Sequence, residues 1–334
     1  MEFPFLYAVC RAGAEPLLKE EMARQLGGRL VPAFLRPQLV TWKARDPLPA
    51  EFRPTLSFAR NWGFSVGLVP QPGAIPDRWR ETMGDAPPGR WDVYPRLVPE
   101  GGISPEIWQE ADRIRGELPP GGAGSWIGEV ILGDPGEASL VGARPLEGGG
   151  AVSPGGLARV SLPPEAPSRA WLKLEQALAW AGWDGEGSWL GKRALELGSS
   201  PGGISLALVR RGLEVEAVDP APMAPSVLAE IGPGGARIRH WRQPVGGWRK
   251  GNLAGPVDLL VSDMNLAPPA VLRYLERIQA AVRAPRWIVT LKLNDATMVS
   301  RLSDFRKRLA HFAPKPLRAV QLPANRQEVT VIAG

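Results

Sequence analysis

The stretch 195–205, LELGSSPGGIS, joins an apolar run to a run of helical character through three glycines, a proline and two adjacent serines. Two chemistries want such a bend. Glycines at the exit of a strand let a ligand approach bare backbone. Alternatively, Gly198-Ser199-Ser200-Pro201-Gly202 has the G-x-S-x-G form of a nucleophile elbow, with Ser200 as nucleophile.

Outward from this loop, the chain beyond about residue 167 alternates in texture. PSRAWLKLEQALAWAG reads as a helix, RALELG as a strand, ISLALVRRG as a helix and EVEAVDP as a strand. ARIRHWRQ and VDLLVSDMN follow as strands, PAVLRYLERIQAAVRA as a helix, RWIVTLKLN as a strand, MVSRLSDFRKRLAHFA as a helix and EVTVIA as a last strand. This alternation predicts an α/β sheet with helices on both faces. In doubly wound sheets ligands bind beyond the carboxyl ends of the strands, at the switch point. The glycine loop 198–203 leaves the first strand at such an end. Its G-x-x-x-G-G spacing is not the G-x-G-x-x-G of dinucleotide binders.

Asp219 ends the next strand, about 20 residues on, where a carboxylate can accept hydrogen bonds from ribose hydroxyls. The plainer reading is a cap on the turn DPAPM. Loop and acid together point to an adenosine-type cofactor. With no Lys in the loop to hold phosphate, S-adenosylmethionine fits better than a nucleotide. The hydrolase reading stays open on residue order alone: Ser200, then Asp263 or Asp295, then His311. Against it, His311 falls within the helical run RLAHFA, and the elbow opens the sheet instead of coming late in it.

Size and composition set bounds. At 334 residues the chain suggests about two domains. The single cysteine, Cys10, excludes an intrachain disulfide framework, and with only His240 and His311 no zinc site is expected. The start MEFPFLYAVCRAGAEP lacks the cationic opening of a signal peptide, and no apolar run approaches the ~18 residues of a membrane span. A cytoplasmic protein is expected. The excess of 40 Lys and Arg over 34 Asp and Glu, mostly arginine, is one footprint of nucleic-acid binding.

Ahead of the α/β region, FLYAVCRAGAE reads as a strand, PLLKEEMARQLGG as a helix with Leu17, Leu18, Met22 and Leu26 on one side, and AFLRPQLVTWKA as a strand pair. This is half of a ferredoxin-like unit. TLSFARNWGFSVGLV suggests a helical turn and a strand. Residues 71–160 are punctuated by Gly and Pro, with a helix at PEIWQEADRIRGEL and a hairpin around Asp134-Pro135-Gly136. Residues 146–166 are the best linker candidate.

The segments APSRAWLKLEQAL, ALELGSSPGGIS, VDPAPM, LLVSDMN, VTLKLN and RQEVTV together resemble the FtsJ-like ribose 2′-O-methyltransferases. The resemblance narrows to the RlmM-type enzymes, which methylate a cytidine ribose in bacterial 23S ribosomal RNA. It covers residues 160–334, and CRAGAEPLLKEE and LSFARNWGFSVG extend it weakly to that family's ferredoxin-like and THUMP-type RNA-binding region. It implies a Rossmann-like class I S-adenosylmethionine-dependent methyltransferase domain over 156–334, preceded by a smaller α+β RNA-binding region: ferredoxin-like over 1–70, THUMP-like over 71–155.

The family's K-D-K-E tetrad maps onto Lys173, Asp263, Lys292 and Glu328. The resemblance implies cofactor contacts from Glu196, Gly198, Ser199, Ser200, Pro201, Gly202, Gly203, Asp219, Met223, Gln243 and Asp263. Glu196 stands where many relatives have Asp, and Gln243 where they often have an acid near the adenine. A ribose 2′-OH must lose a proton as it attacks the cofactor methyl. Lys292 would be the base, its pKa lowered by burial and by Lys173 nearby. Asp263 would orient Lys292, and Glu328 would position the pair or the hydroxyl. Taken singly, Lys173 could be a solvated helix residue, Asp263 a strand end and Glu328 a salt-bridge partner. Lys292 interrupts an apolar strand, where an unused charge is costly.

RIRHWRQPVGGWRKGN interleaves Arg237, Arg239, Arg242, Arg249 and Lys250 with Trp241 and Trp248, residue types that neutralise phosphate and stack bases. Arg301, Arg306, Lys307, Arg308 and Lys315 read better as the solvated face of a helix packed through Leu302, Phe305, Leu309 and Phe312. The expected partner is RNA, 23S ribosomal RNA or a ribosomal precursor, gripped largely by the N-terminal region. A different RNA such as tRNA, and a non-catalytic RNA-binding protein that keeps the fold, are the alternatives.

Overall fold

The computed structural model describes every residue except 100–102, 147–150, 186 and 254. The chain folds as two compact units, Met1–Arg159 and Val160–Gly334. Of the expected linker 146–166, residues 147–150 lie outside the described residues.

In the first unit β1 (Glu2–Cys10) leads through α1 (Glu15–Leu26) to β2 (Leu30–Arg36), β3 (Leu39–Pro49) and β4 (Ala59–Val69). α1 buries Leu18 and Met22 and ends where Gly27 turns left-handed at φ 52°, a C-cap that a side chain would strain. α2 (Ile75–Met83), β5 (Arg90–Pro95), α3 (Pro105–Glu117), β6 (Trp126–Leu132) and β7 (Ser139–Pro145) follow. The strand order is β2-β3-β1-β4-β7-β6-β5. Stretches 1–70 and 71–155 therefore share one hydrogen-bonded sheet, joined where β4 pairs with β7.

Two sequence expectations change here. The segment Ala59–Val69 is extended throughout, so the helical turn expected near it is absent. Reading 71–95 as loop misses α2 and β5. Prolines stand at the first turns there, where a missing N–H costs nothing, so they start helices instead of breaking them. β5 is buried along nearly its whole length and so lacks the alternation that marks a half-exposed strand.

One face of this sheet carries a buried polar seam. Glu129 accepts from the Tyr7 hydroxyl, from Asn61 Nδ2 at 2.7 Å and from Arg144 Nε at 3.1 Å. Arg144 also reaches Asp92 at 3.4 Å. Burial pushes the Glu129 carboxyl up to about 7, against the pull of Arg144. Gly63 and Gly142 make room for the Tyr7 ring: a Cβ on them would lie 2.6 Å from its Oη and 2.3 Å from its Cε1, respectively.

The second unit opens with α4 (Ala170–Ala181), β8 (Arg193–Leu197), α5 (Gly203–Arg210), β9 (Glu214–Val218), α6 (Pro225–Leu228) and β10 (Ile238–Trp241). It continues with β11 (Leu259–Ser262), α7 (Pro268–Val282), β12 (Arg286–Lys292), α8 (Ala296–Ser300), α9 (Leu302–Leu309), β13 (Leu317–Val320) and β14 (Glu328–Ala333). The order β10-β9-β8-β11-β12-β14-β13 is Rossmann-like. The first five strands run parallel, and β14 enters antiparallel between β12 and β13. The chain winds outward from β8 to β10, then restarts on the other side of β8 at β11. The switch point is thus the gap between β8 and β11, and the glycine loop opens there.

The helix expected over 298–313 is two, α8 and α9, broken at Arg301; Leu302, Phe305 and Leu309 are buried as expected. The four-residue β13 gave no sequence signal. Among the described residues no helix is long and apolar enough to cross a membrane.

The fit of Tyr7 against glycine is directly testable. Gly142→Ala is expected to cost ~1–3 kcal/mol through overpacking, read as a lower urea midpoint of the full chain. Unchanged stability would show that the Tyr7 ring can move aside.

Candidate active site

Strand topology brings four charged side chains to one place. β12 ends at Lys292, and β14 runs antiparallel beside it from Glu328, so these two are register partners. Asp263 follows directly on the last residue of β11, next in the sheet. Lys173 comes from the first turn of α4. That turn packs closely on the start of α5: a Cβ on Gly203 would lie 2.3 Å from Ser168 Oγ and 3.1 Å from the Trp171 nitrogen.

The four close into an alternating ring. Lys173 Nζ lies 3.0 Å from Asp263 Oδ2 and 2.7 Å from Glu328 Oε2. Lys292 Nζ lies 3.0 Å from Asp263 Oδ1 and 2.5 Å from Glu328 Oε1. Each side chain is only 10–13% exposed. The solvated-helix reading of Lys173 fails, since Leu172 and Leu174 beside it are fully buried and its amine is paired twice.

The electrostatics correct one expectation. Burial pulls the Lys292 pKa down, but Asp263 and Glu328 together raise it above the ordinary lysine value. Glu328 answers in kind: burial favours its neutral form, yet Lys173 and Lys292 hold its pKa below the usual carboxylate range. The amine is thus held as an ammonium in this state, because two anions outweigh desolvation.

Two positioning residues were not foreseen. Gln176, 2% exposed on α4, accepts the Ala324 N–H at 2.8 Å and so ties Lys173's helix to the approach to Glu328. Asn325, fully buried, accepts from the Leu322 N–H at 2.8 Å and from Thr330 Oγ1 at 3.0 Å, fixing the turn into β14. Neither carries a sequence signal, since Gln176 follows Glu175 and Asn325 precedes Arg326, Gln327 and Glu328 like ordinary surface amides.

At the glycine loop, Gly198 has φ 81° and a Cβ there would lie 2.8 Å from Met264 Cα. Gly202, at φ 111°, would meet Val227 and Met223. The missing side chains therefore serve the chain's own close packing, Gly198 against the end of β11 and Gly202 against α6 and Met223. Asp219 accepts from the Ser200 N–H at 3.1 Å and the Ala221 N–H at 2.8 Å, combining the expected turn cap with a tie to the loop. Pro201 follows a cis peptide bond. Met223 is buried, and Gln243 is half-buried just past β10.

Ser200 Oγ donates to the Pro222 carbonyl at 2.8 Å, and among the described residues no histidine contacts it. His311 is exposed beyond the end of α9. The elbow reading has no base.

Several features fit a cationic nucleoside ligand at this loop. Ser199 and Ser262, buried beside the ends of β8 and β11, have hydroxyls with no partner. No Lys or Arg lies in 195–205. Glu196 is fully buried under the loop and accepts from Ser205 Oγ at 2.5 Å. Burial first, then Asp263 and Asp219, push its carboxyl up to about 8, although the Ser205 hydrogen bond opposes the rise. With Glu196 neutral and Asp263 shared by two amines, Asp219 is the charge that the loop itself contacts, and a loop with one carboxylate and no cation suits a cation better than a phosphate.

The chain is 30% identical to ribosomal RNA large subunit methyltransferase M of Aromatoleum aromaticum over 97% of its own length and 93% of that protein. The chain belongs to the ribosomal RNA large subunit methyltransferase M family. The family protein of Halorhodospira halophila aligns equally broadly, at 30% identity over 97% of this chain and 95% of its own. With that of Thauera aminoaromatica identity rises to 35%, over 53% of this chain and 48% of the relative, about half its length. No protein-family model matches the chain. TrmN from Thermus thermophilus aligns over 98% of this chain and 99% of its own at 17% identity and a TM-score of 0.35, a superposition too loose to place any residue of the site.

Glu196 supplies a pH test. Its carboxyl stays protonated in the fold up to about 8 but ionises near 4.5 when unfolded. Between those values the native state holds the extra proton, so this group makes stability fall as pH rises. Glu196→Gln keeps a neutral partner for Ser205 and is expected to gain on wild type from pH 5 to 8, by up to about 1.4 kcal/mol per unit, in urea unfolding at each pH. Parallel curves would show that Glu196 is already ionised in the fold.

Proposed function

We propose that the protein methylates the 2′-oxygen of a ribose in large-subunit ribosomal RNA, most specifically a cytidine of 23S ribosomal RNA, in the cytoplasm, with S-adenosylmethionine as donor. Membership of the family supports the methyltransferase activity and the RNA substrate. The observation that carries the choice of chemistry is the closed ring of two amines and two carboxylates at the ends of β11, β12 and β14, beside the switch point.

The residues holding the cofactor would be those of the loop 198–203, with Asp219 toward the ribose hydroxyls, Met223 and Gln243 toward the base, and Asp263 at the reacting end. When bound, S-adenosylmethionine would supply an electrophilic methyl group and a positive charge. The rest of the chemistry belongs to the chain. The target hydroxyl enters the open side of the ring and hydrogen-bonds to Lys292. Lys292 Nζ accepts the hydroxyl proton as the oxygen attacks, acting from its neutral form. Asp263 and Glu328 hold the amine in line and then stabilise the ammonium that results. Lys173 balances the two carboxylates so that neither is left as an unpaired buried charge, a state that costs several kcal/mol. Placing the hydroxyl within reach of base and methyl supplies much of the acceleration.

Two experiments test this. Lys292→Ala is expected to abolish methyl transfer to 23S ribosomal RNA while thermal stabilisation by S-adenosylmethionine persists; transfer within tenfold of wild type would rule Lys292 out as the base. Intact RNA binding by wild-type protein that transfers no methyl to any cellular RNA would favour a binding protein. The second concerns pH. Because two carboxylates raise the Lys292 pKa, kcat/KM is expected to climb through the alkaline range. Glu328→Gln removes one of them, so the climb should move to lower pH even as the maximal rate falls. A lower rate with an unmoved profile would mean that Glu328 does not set the proton affinity of Lys292.

A further inference from the structure

The charge of the chain is unevenly divided. Residues 1–159 hold 17 Lys and Arg against 19 Asp and Glu, while 160–334 hold 23 against 15. The unit expected to grip RNA is thus −2, the catalytic unit is +8, and together they make the +6 of the whole chain. Much of that excess sits in one stretch: between Glu230 and Asp258 there are five cations and no carboxylate.

This stretch is β10, the free edge of the second sheet, and the turns after it. Arg237, Arg239, Arg242, Arg249 and Lys250 are all exposed. Among the described residues none of the five forms an ion pair, whereas Arg308 on α9 is paired with Glu276 at 2.9 Å. Arg239 lies over Trp241, its guanidinium carbon 4.0 Å from the ring centroid. Trp241 is fixed in turn by donating its Nε1–H to Glu216 at 2.6 Å. The outer face of that guanidinium is a pre-set platform for a base, with donors left for phosphate.

Charges on an edge strand also keep it from pairing with another sheet. Charges of either sign would do that, and only 238–241 are in the strand. Edge protection therefore accounts neither for the absence of acids nor for Arg242, Arg249 and Lys250 beyond the strand. Gln243, proposed at the cofactor's base, lies within the same stretch, so the track starts beside the active site.

We propose that residues 237–250 form an RNA track of the catalytic unit, binding the phosphates of a single-stranded RNA segment, and that this track supplies more of the electrostatic affinity than the Met1–Arg159 unit does. It rests on the proposed action on RNA and adds where the strand lies.

The test compares two full-length triple variants. One is Arg237→Gln/Arg239→Gln/Arg242→Gln; the other is Arg29→Gln/Lys43→Gln/Arg45→Gln, three exposed cations of the first unit. Binding of a single-stranded RNA oligonucleotide is measured against salt. Each phosphate contact adds about 0.7 to the slope of log affinity against log salt, so the first variant should lose about 2 and the second little. The first should also raise KM for 23S ribosomal RNA with kcat and S-adenosylmethionine affinity kept. Arg249→Gln/Lys250→Gln, outside the strand, repeats the measurement should the first variant unfold. A wild-type slope in the track variants, or an equal loss in the first-unit variant, overturns the proposal while methyl transfer by the wild type stands. A track that binds RNA in a protein transferring no methyl would leave the proposal standing and sink the catalytic reading.

Discussion

The ring of Lys173, Asp263, Lys292 and Glu328 makes the heaviest demand on the second unit. Four charges with little solvent access survive only if each meets two of opposite sign, because desolvation costs several kcal/mol per ion. The surrounding topology meets that condition. An antiparallel strand must lie beside β12 for its first residue to face the last residue of β12. β11 must be the next strand over for Asp263 to reach the same amine. α4 must descend on α5 so closely that Gly203 has no room for a side chain. Gln176 and Asn325 then fix the turn that delivers Glu328.

That arrangement carries a tension that bears on mechanism. The same carboxylates that orient Lys292 also raise its proton affinity. A base must be neutral to accept a proton, so the ring trades readiness for placement. A positive ligand at the glycine loop acts the other way, since like charge disfavours the ammonium. The floor of that loop is suited to such a ligand: it has no cation of its own, and the buried Glu196 holds a proton because burial first, and Asp263 and Asp219 after it, disfavour its charge. Five exposed cations of the unit, with no carboxylate between Glu230 and Asp258, lie instead on the β10 flank. A cationic cofactor and a polyanionic substrate thus meet surfaces of opposite sign within one unit.

Much of this was legible in the residues. Alternating strands and helices after 167 gave the α/β sheet, because a buried parallel strand leaves an unbroken apolar run and its crossover helix a 3.6-residue period. The four ring residues were individually weak and became readable only through resemblance to a known family, since nothing local tells a helix lysine that its partners lie 90 and more residues away. Long-range pairing hid the rest. β5 owes its existence to β6, and β13 to β14. α2 was concealed because proline reads as a breaker until its place in the first turn is known. The direction of the Lys292 shift was misjudged for the same kind of reason: one cation and burial were counted from the sequence, whereas the distances show two carboxylates touching the amine.

The first unit supplies an instructive contrast. Its seam of Tyr7, Asn61, Asp92, Glu129 and Arg144 is also a cluster of titratable groups on a sheet, with a carboxyl that burial pushes up to about 7, next to about 8 for Glu196. Yet Glu129 is fully enclosed, Asp92 and Arg144 are 3% and 5% exposed, and the Tyr7 ring fills the space of two absent side chains. Nothing can enter, so its perturbed carboxyl reflects burial that outweighs the pull of Arg144, and its hydrogen bonds lock one sheet together. The ring of the second unit is 10–13% exposed, lies beside a switch point and has two unpartnered hydroxyls beside it. A shifted pKa by itself does not separate an active site from a structural network. Access does, together with polar groups left waiting for a partner, and by that criterion only the second cluster is built to react.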